Sequence, residues 1–154
     1  MGTRLASAAD LEGLRAEISA KRDPSKPIVT VCSGTGCQAY GSNKVIQAFI
    51  DEIERQGLEA EVVTKATGCH GFCERGVVVI IFPEEICYLG VRPEDVPEIV
   101  SQTLAQKKII DRLIYEDPVT GQKMPRESEI PFYKHQSRLV FGNNKFIDPK
   151  NIED

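Results

Sequence analysis

The stretch IVTVCSGTGC, residues 28–37, joins a short apolar run to two cysteines that are separated by four small residues. Its first five residues are rich in β-branched side chains and predict a buried strand that ends at Cys32. Cys37 follows in the loop after that strand. A second pair of cysteines lies in GCHGFC, where three residues separate Cys69 from Cys73. The order of the surrounding strands decides whether the two pairs meet.

The segments that follow the first pair alternate between helix and strand. Residues 42–57, SNKVIQAFIDEIERQG, carry an apolar helical stripe and end in a glycine placed to stop the helix. AEVVT at 60–64 predicts a second strand. VVVIIF at 77–82 is continuously apolar and predicts a central third strand, and a short turn leads to a fourth strand, ICYLGV, at 86–91. Pro93 then stands at the first position of a last helix.

This order, β-α-β followed by β-β-α, is the thioredoxin-like plan and places the chain in the α/β class. A strand, helix and strand close as a right-handed parallel crossover, whereas the last two strands, joined by a short turn, should be antiparallel. Parallel strands end at the same edge of a sheet, where open α/β sheets usually bind ligands. We therefore expect the two cysteine loops to meet there and to bring four thiolates to one site.

Changes in composition along the sequence divide the chain into three regions. Residues 1–24 predict an N-terminal helix and a linker, in which Ser7 and Asp10 form a loose capping box. Residues 25–108 form the thioredoxin-like domain. The apolar face of the N-terminal helix is expected to consist of Leu11, Leu14 and Ile18.

The third region, residues 109–154, is rich in Pro, Gly, Asn and charge and shows no sustained periodicity. It predicts an irregular, partly ordered C-terminal extension. Asp148 followed by Pro149 is a favourable helix start only six residues before the chain ends. A helix so short is not stable alone, so we expect either that the natural protein continues beyond residue 154, which we favour, or that these residues pack against a partner.

Length and composition limit the classes of function. A chain of 154 residues with 41% hydrophobic content can form a normal core without disulfides. Its net charge of −4 argues against nucleic acid as a partner, because phosphate binding requires a basic face. No apolar run reaches the roughly 20 residues of a membrane helix, and the N-terminal residues lack the apolar stretch of a secretory signal. We expect a cytoplasmic protein without membrane insertion, whose reduced cysteines serve as metal or redox ligands.

Four thiolates without a matching histidine pattern allow an iron–sulfur cluster or a zinc ion. Neither pair has the tight C-x2-C spacing that is common in structural zinc sites. A thioredoxin-type redox dithiol requires the same C-x2-C spacing, so it is not indicated either. The wider loops favour a two-iron cluster in which each pair binds a different iron, while zinc and a thiol or disulfide role stay open. His70 lies inside the second pair, but Rieske ligation requires two histidines. Cys87, in an apolar strand, is expected to be a core residue.

Four glycines flank the thiols: Gly34, Gly36, Gly68 and Gly71. Glycine adopts positive φ readily, and its backbone N–H groups can approach sulfur closely. Such N–H groups would stabilise anionic sulfur by hydrogen bonds and tune a bound cluster.

The spacing C-x4-C, a gap of 31 residues and C-x3-C on this order of elements resembles the thioredoxin-like [2Fe-2S] ferredoxins, which include the small two-iron subunit of respiratory complex I. The resemblance rests on VCSGTGC and ATGCHGFCERGVVVIIFPEEICYLGV and covers roughly residues 26–106. It implies that Cys32, Cys37, Cys69 and Cys73 are the ligands of a [2Fe-2S] cluster. It also implies one-electron transfer at a negative reduction potential, with no catalytic site in this chain.

The tail, EIPFYKHQSRLVFGNNKFIDPKNIED, resembles the lead-in to the flavin-binding domain in fused, complex I flavoprotein-like subunits of NAD-dependent or bifurcating hydrogenases and formate dehydrogenases. This resemblance implies a module of a multi-subunit NAD(H)-linked oxidoreductase. The implied partners are a flavin-binding domain or other iron–sulfur subunits, and the sequence also allows a homodimer. The alternative from a different class is a zinc-stapled interaction module whose tail docks a partner protein.

Overall fold

A mixed four-stranded sheet forms the centre of the protein, for which a computed structural model describes residues 5–21, 23 and 25–151. The predicted linker before residue 25 and the helix predicted to start near residue 148 therefore lie partly outside the described residues. The strand order is β2-β1-β3-β4. β1 and β2 are parallel and β3 and β4 are antiparallel, as predicted, and β3 also pairs antiparallel with β1. The strands are β1, Ile28–Cys32; β2, Val63–Thr67; β3, Val79–Phe82; and β4, Ile86–Tyr88.

Helices connect and cover these strands. The α1 helix spans Ala8–Lys21, the short α2 helix spans Thr35–Ala39, and α3 spans Ser42–Arg55. A last helical segment begins with a 3₁₀ turn at Pro93–Asp95, continues as α4, Val96–Glu98, and ends with π turns at Ile99–Leu104. The predicted stop at Gly57 is confirmed, since this residue has φ +68° and ends the turn after α3.

Two strand boundaries differ from the prediction. The second strand was expected at 60–64, but β2 begins at Val63, because Glu61 and Val62 donate backbone hydrogen bonds to the Leu58 carbonyl in a turn that closes the preceding helix. The fourth strand was expected to reach residue 91 but ends at Tyr88, since the Leu89 amide donates to the carbonyl of Leu113 instead of to a strand. The predicted pairing partners are nevertheless correct.

The sheet has an apolar core on each face. Side chains of alternate residues along a strand point to opposite faces, so Val29, Val31, Val79 and Ile81 pack against α3 and the last helical segment. Residues between them, including Ile80 and Cys87, belong to a second cluster with Ile130 and Tyr133. The helical layer therefore covers one face, and the C-terminal extension covers the other.

The extension is held to the sheet by backbone hydrogen bonds as well as by apolar contacts. The Cys87 amide donates to the carbonyl of Pro125 at 2.8 Å, and Ile86 forms an antiparallel bridge with Arg126. The extension also contains a small hairpin of β5, Tyr115–Glu116, and β6, Lys123–Met124, followed by α5, Pro131–Lys134. It is thus partly ordered, as expected.

The N-terminal helix makes the predicted capping box, in which Asp10 accepts from the Ser7 amide at 3.0 Å and the Ser7 hydroxyl accepts from the Asp10 amide at 3.2 Å. The residues of its predicted apolar face stay partly exposed, since other elements already cover both faces of the sheet. Leu11 is 52% exposed, and Leu14 and Ile18 are only half-buried. Among the described residues, no helix has the length and apolar composition required to cross a membrane.

Candidate metal centre

The two cysteine loops leave the sheet side by side. In the parallel register, Cys32 at the end of β1 lies opposite Thr67 at the end of β2. The amide of Ser33, the first residue after β1, donates to the Thr67 carbonyl at 2.9 Å. The strand pairing therefore brings residues 33–37, which we call the first loop, next to residues 68–73, the second loop.

The glycines show how closely the loops approach each other. A Cβ atom built on Gly34 would lie 2.9 Å from the Cβ and 3.1 Å from the Sγ of Cys69. A Cβ on Gly36 would lie 3.2 Å from the Sγ of Cys73. Beyond the second loop, a Cβ on Gly76 would lie 3.0 Å from the Sγ of Cys37. The sulfurs of Cys37, Cys69 and Cys73 thus each pack directly against a glycine on the opposite side of the site.

This packing corrects the role that the sequence suggested for the glycines. Of the four that flank the thiols, only Gly71 has a positive φ, +83°. Gly34 has φ −64° and ψ 160°, values that any residue can adopt. Gly34 and Gly36 therefore provide space for the facing cysteines, and only Gly71 provides a left-handed backbone conformation.

Cys37 lies within the short α2 helix, whereas the sequence placed it in a loop. This helix begins within the first loop, and the amides of Gln38 and Tyr40 donate to the carbonyls of Gly34 and Gly36. The Gln38 side chain also donates to the Ser33 carbonyl at 2.7 Å. These hydrogen bonds hold the backbone on both sides of Cys37 in place.

Backbone N–H groups point at three of the four sulfurs, as expected. The Gly71 amide donates to the Sγ of Cys69 at 3.3 Å. The amides of His70 and Gly34 donate to the sulfur of Cys32, and the Val78 amide donates to that of Cys37. Such donors stabilise anionic sulfur without adding a charged side chain.

The two thiols of the first pair shift each other's pKa in opposite directions. The pKa of Cys32 is lowered to about 6, first because the Cys37 thiol donates a hydrogen bond to its sulfur, with further donation from the His70 and Gly34 amides. The same hydrogen bond raises the pKa of Cys37 far above its usual value, and burial adds to this. Burial also raises the pKa of Cys69. Uptake of a metal by thiolates therefore has to release protons from this site.

Burial differs among the five cysteines. Cys32 and Cys37 are buried, Cys69 is half-buried and Cys73 is exposed. Cys87 is fully buried in β4, as predicted, and burial raises its pKa strongly. The charged groups that act on the pKa of Cys87 are Glu127 and Lys145 rather than the other thiols. The structure thus groups four thiols at one edge of the sheet and leaves the fifth in the core.

The donor set of this site, four thiols from two adjacent loops, fits a two-iron cluster. Hydrogen bonds couple Cys32 to both Cys37 and Cys69, and Cys69 to Cys73, so the four thiols form one connected group. Within the described parts of the chain, no three or more Cys, His, Asp or Glu side chains are grouped so that they could hold one metal ion. A zinc ion requires all its sulfurs at about 2.3 Å from one point, whereas two irons allow one pair of sulfurs each. The close packing of the loops on their glycines and the N–H donors supply the surroundings that an anionic cluster needs.

His70 is a buried part of the second loop and not a surface residue beside the site. Its Nε2 lies 3.0 Å from the hydroxyl of Thr67, and burial lowers its pKa to about 4, with smaller contributions from Arg138 and Lys145. Among the described residues, its Nδ1 has no hydrogen-bond partner. The ring remains neutral at pH 7 and packs behind the loop.

Residues of the extension also contact the second loop, and the sequence predicted none of them. The Phe132 ring stacks on Phe72 with ring centres 4.3 Å apart. Arg138 and Asn144 donate hydrogen bonds to the backbone of the loop. These contacts join residues 60 or more positions apart and follow no periodic pattern, so the sequence carries no signal that would have revealed them.

Comparisons with known proteins agree with this geometry. The chain is 32% identical over 77 residues to a 2Fe-2S ferredoxin from Clostridium pasteurianum, an alignment that covers 50% of this chain and 76% of the ferredoxin. It is 38% identical over 79 residues to a 2Fe-2S ferredoxin from Aquifex aeolicus (strain VF5), covering 51% of this chain and 71% of that protein. No family model matches the chain.

The same similarity is found among solved structures. The wild-type thioredoxin-like [2Fe-2S] ferredoxin from Aquifex aeolicus superimposes with a TM-score of 0.54 at 33% identity, covering 60% of this chain and 98% of that one. A variant of that ferredoxin with one cysteine replaced by serine gives a TM-score of 0.55 at 32% identity, covering 59% of this chain and 99% of that one. The solved structures thus match close to their full length, and the two curated relatives match over about three quarters of theirs.

Proposed function

This chain belongs to the thioredoxin-like [2Fe-2S] ferredoxin family, and from that premise we propose that Cys32, Cys37, Cys69 and Cys73 are the ligands of its two-iron cluster. The observation that carries the assignment is the mutual packing of the two loops, in which Gly34 and Gly36 lie against Cys69 and Cys73. The serine variants of the Aquifex ferredoxin add support, because the two cysteines replaced in them are four positions apart. The same separation divides the second pair here.

The protein carries a [2Fe-2S] cluster and transfers electrons, as its relatives are ferredoxins of this type. When bound, the cluster accepts and returns one electron at a time. The chain contributes the surroundings of that step. Buried Cys32 and Cys37 keep water from one side of the site, and N–H donors to sulfur stabilise the added negative charge. Cys73 is exposed, so a partner protein can approach from its side.

We further propose that the protein works in the cytoplasm as a module of an NAD(H)-linked oxidoreductase of the hydrogenase or formate dehydrogenase type. In that role residues 109–154 lead toward a flavin-binding domain, the electron partner. Support comes from an apolar surface beside the second loop, where Leu139, Val140 and Phe141 are 96%, 84% and 60% exposed. Together with Cys69, they line a cavity of about 600 Å³. Exposed apolar residues next to a redox site are typical of a docking surface.

Metal and sulfide analysis combined with EPR tests the electron-transfer role. The purified protein is expected to be brown and to contain two irons and two acid-labile sulfides per chain, with visible absorption that dithionite bleaches. The reduced protein should give the EPR signal of a single unpaired electron. A colourless protein that contains one zinc per chain would instead support the interaction module and refute electron transfer.

Reduction by NADH tests the proposed complex. With NADH alone the visible absorption of this chain should remain unchanged, because no nucleotide or flavin site is proposed within it. Addition of a catalytic amount of a flavin-containing NADH-oxidising subunit should bleach the absorption. Bleaching by NADH alone, or no bleaching with the flavin subunit although dithionite still reduces the protein, would contradict the proposed partner.

A further inference from the structure

The C-terminal extension covers the second cysteine loop residue by residue. The Gly68 amide donates to the carbonyl of Ile147 at 3.3 Å. The Cys69 carbonyl accepts from Nδ2 of Asn144 at 3.3 Å, and the next carbonyl along the loop, that of His70, accepts from Nη2 of Arg138 at 2.7 Å. Three successive residues of the loop therefore form hydrogen bonds with side chains or backbone that lie between 68 and 79 positions later in the chain.

Two glycines of this loop leave the space that the side chains of Asn144 and Arg138 occupy. A Cβ on Gly68 would lie 3.0 Å from Cγ of Asn144, and a Cβ on Gly71 would lie 3.3 Å from Nη2 of Arg138. Phe72, the last residue before Cys73, stacks on the ring of Phe132. No stretch of the loop between the two cysteines is left without a contact to the extension.

Arg138 is itself held in place and brings a positive charge to the loop. Its Nε donates to Oε1 of Gln136 at 2.9 Å, and its guanidinium lies 5.0 Å from the centre of the Tyr133 ring. These partners and the His70 carbonyl are uncharged, so they do not offset its charge. Lys145 differs, because it forms ion pairs with Glu127 and Glu85.

We infer that the extension is part of the redox site: Arg138 and Asn144 are positioning residues that clamp the second cysteine loop on the cluster, and the charge of Arg138 raises the reduction potential. The inference rests on the proposed ligand set, because Cys69 and Cys73 belong to the clamped loop. Reduction adds one negative charge to the site, and a nearby cation stabilises the reduced form more than the oxidised form. The backbone hydrogen bonds slow the opening of the loop through which a cluster is lost.

Four variants of the full chain separate the charge from the hydrogen bonds. Arg138→Gln removes both, Arg138→Lys keeps the charge but loses the planar donor fork, and Asn144→Ala removes only a neutral donor. Arg126→Gln is the matched control, because Arg126 lies on the same extension but faces Glu129 at 3.7 Å and bridges the opposite end of the sheet near Ile86. For each, the reduction potential is measured by spectroscopic redox titration, and cluster loss by the decay of visible absorbance with a chelator present.

Arg138→Gln is expected to shift the one-electron equilibrium toward the oxidised form by about threefold to tenfold, where tenfold corresponds to 59 mV for one electron. Its cluster should be lost about tenfold faster than in wild type, and that of Asn144→Ala about threefold faster. Arg138→Lys should keep the wild-type potential and lose the cluster faster. Arg126→Gln should match wild type in both measurements.

Two results would overturn the inference. The charge of Arg138 would not set the reduction potential if Arg138→Gln had the same reduction potential as Arg126→Gln. The same conclusion would follow if the reduction potential of Arg138→Lys were lowered as far as that of Arg138→Gln. If Asn144→Ala and Arg138→Lys lost the cluster at the wild-type rate, the extension would not clamp the loop. The proposed function is tested separately, since a wild-type protein without a two-iron cluster would refute it before any variant was made.

Discussion

Replacement of Cys37 by serine is expected to remove or strongly change the visible spectrum of the protein and to lower its stability. Cys37 is 1% exposed, and its sulfur accepts from the Val78 amide and lies against the backbone at Gly76. Serine has a shorter side chain and a harder oxygen ligand, so one iron loses its second sulfur. A buried hydroxyl without a good partner costs about 1–3 kcal/mol, and the binding energy lost with the cluster adds to this because metal binding is coupled to folding.

Visible absorption and EPR of the purified variant, followed by denaturant unfolding, check this result. Cys73→Ser is the comparison within the ligand set: it should also change the spectrum, but with little cost to the metal-free fold, because Cys73 is exposed. Crystals of two single serine variants of the Aquifex ferredoxin indicate that this fold survives such a change.

Cys87→Ala is the matched control outside the ligand set. It should keep the spectrum and cost only about 1–2 kcal/mol of core packing, since Cys87 is fully buried in β4 away from the four thiols. An unchanged spectrum in Cys37→Ser, or loss of colour in Cys87→Ala, would show that the four ligands had been chosen wrongly.

The strands and their pairing could be predicted because they depend on local apolar runs and on short connections. IVTVC at 28–32 is a strand with the predicted ends, and the short turn between β3 and β4 leaves only antiparallel pairing. The start of β2 was misplaced by three residues, since Val62 is as apolar as Val63 but packs under the turn after α3. Periodicity does not distinguish a buried turn residue from the first residue of a strand.

The meeting of the two cysteine pairs could be predicted, because the order of the strands determines it. The contacts from the extension could not be predicted, because they come from single side chains at distant positions. Two parallel strands that end at one edge are sufficient to bring Cys32 and Cys69 together. The hydrogen bonds from Arg138 and Asn144 span 68 and 75 positions and are single polar interactions in an aperiodic segment. The glycines were found from the sequence, but their purpose at Gly34 and Gly36 depends on an approach between loops that only the three-dimensional structure reveals.

Gly34→Ala is expected to prevent normal cluster assembly although the new residue fits the backbone. At φ −64° and ψ 160° alanine meets no conformational penalty, so the effect is steric. The added methyl would lie 2.9 Å from Cβ, 3.1 Å from Sγ and 3.3 Å from Cα of Cys69. The clash with the backbone of Cys69 matters most, since backbone cannot rotate away as the end of a side chain can, and the second loop is held by the extension on its other side. Relief therefore requires the two loops to separate.

Overpacking of this kind costs about 1–3 kcal/mol, which corresponds to an affinity for the cluster that is weaker by about fivefold to 150-fold, and so to a lower cluster occupancy. Iron and sulfide content after identical reconstitution measures it. Gly36→Ala should have a smaller effect, because its methyl would meet only the side chain of Cys73, at 3.2 Å and 3.3 Å. Gly13→Ala is the control, with no atom within 4 Å of its methyl and a position inside α1 where alanine favours the helix. Equal occupancy in Gly34→Ala and Gly13→Ala would mean that the two loops do not approach each other as closely as the site requires.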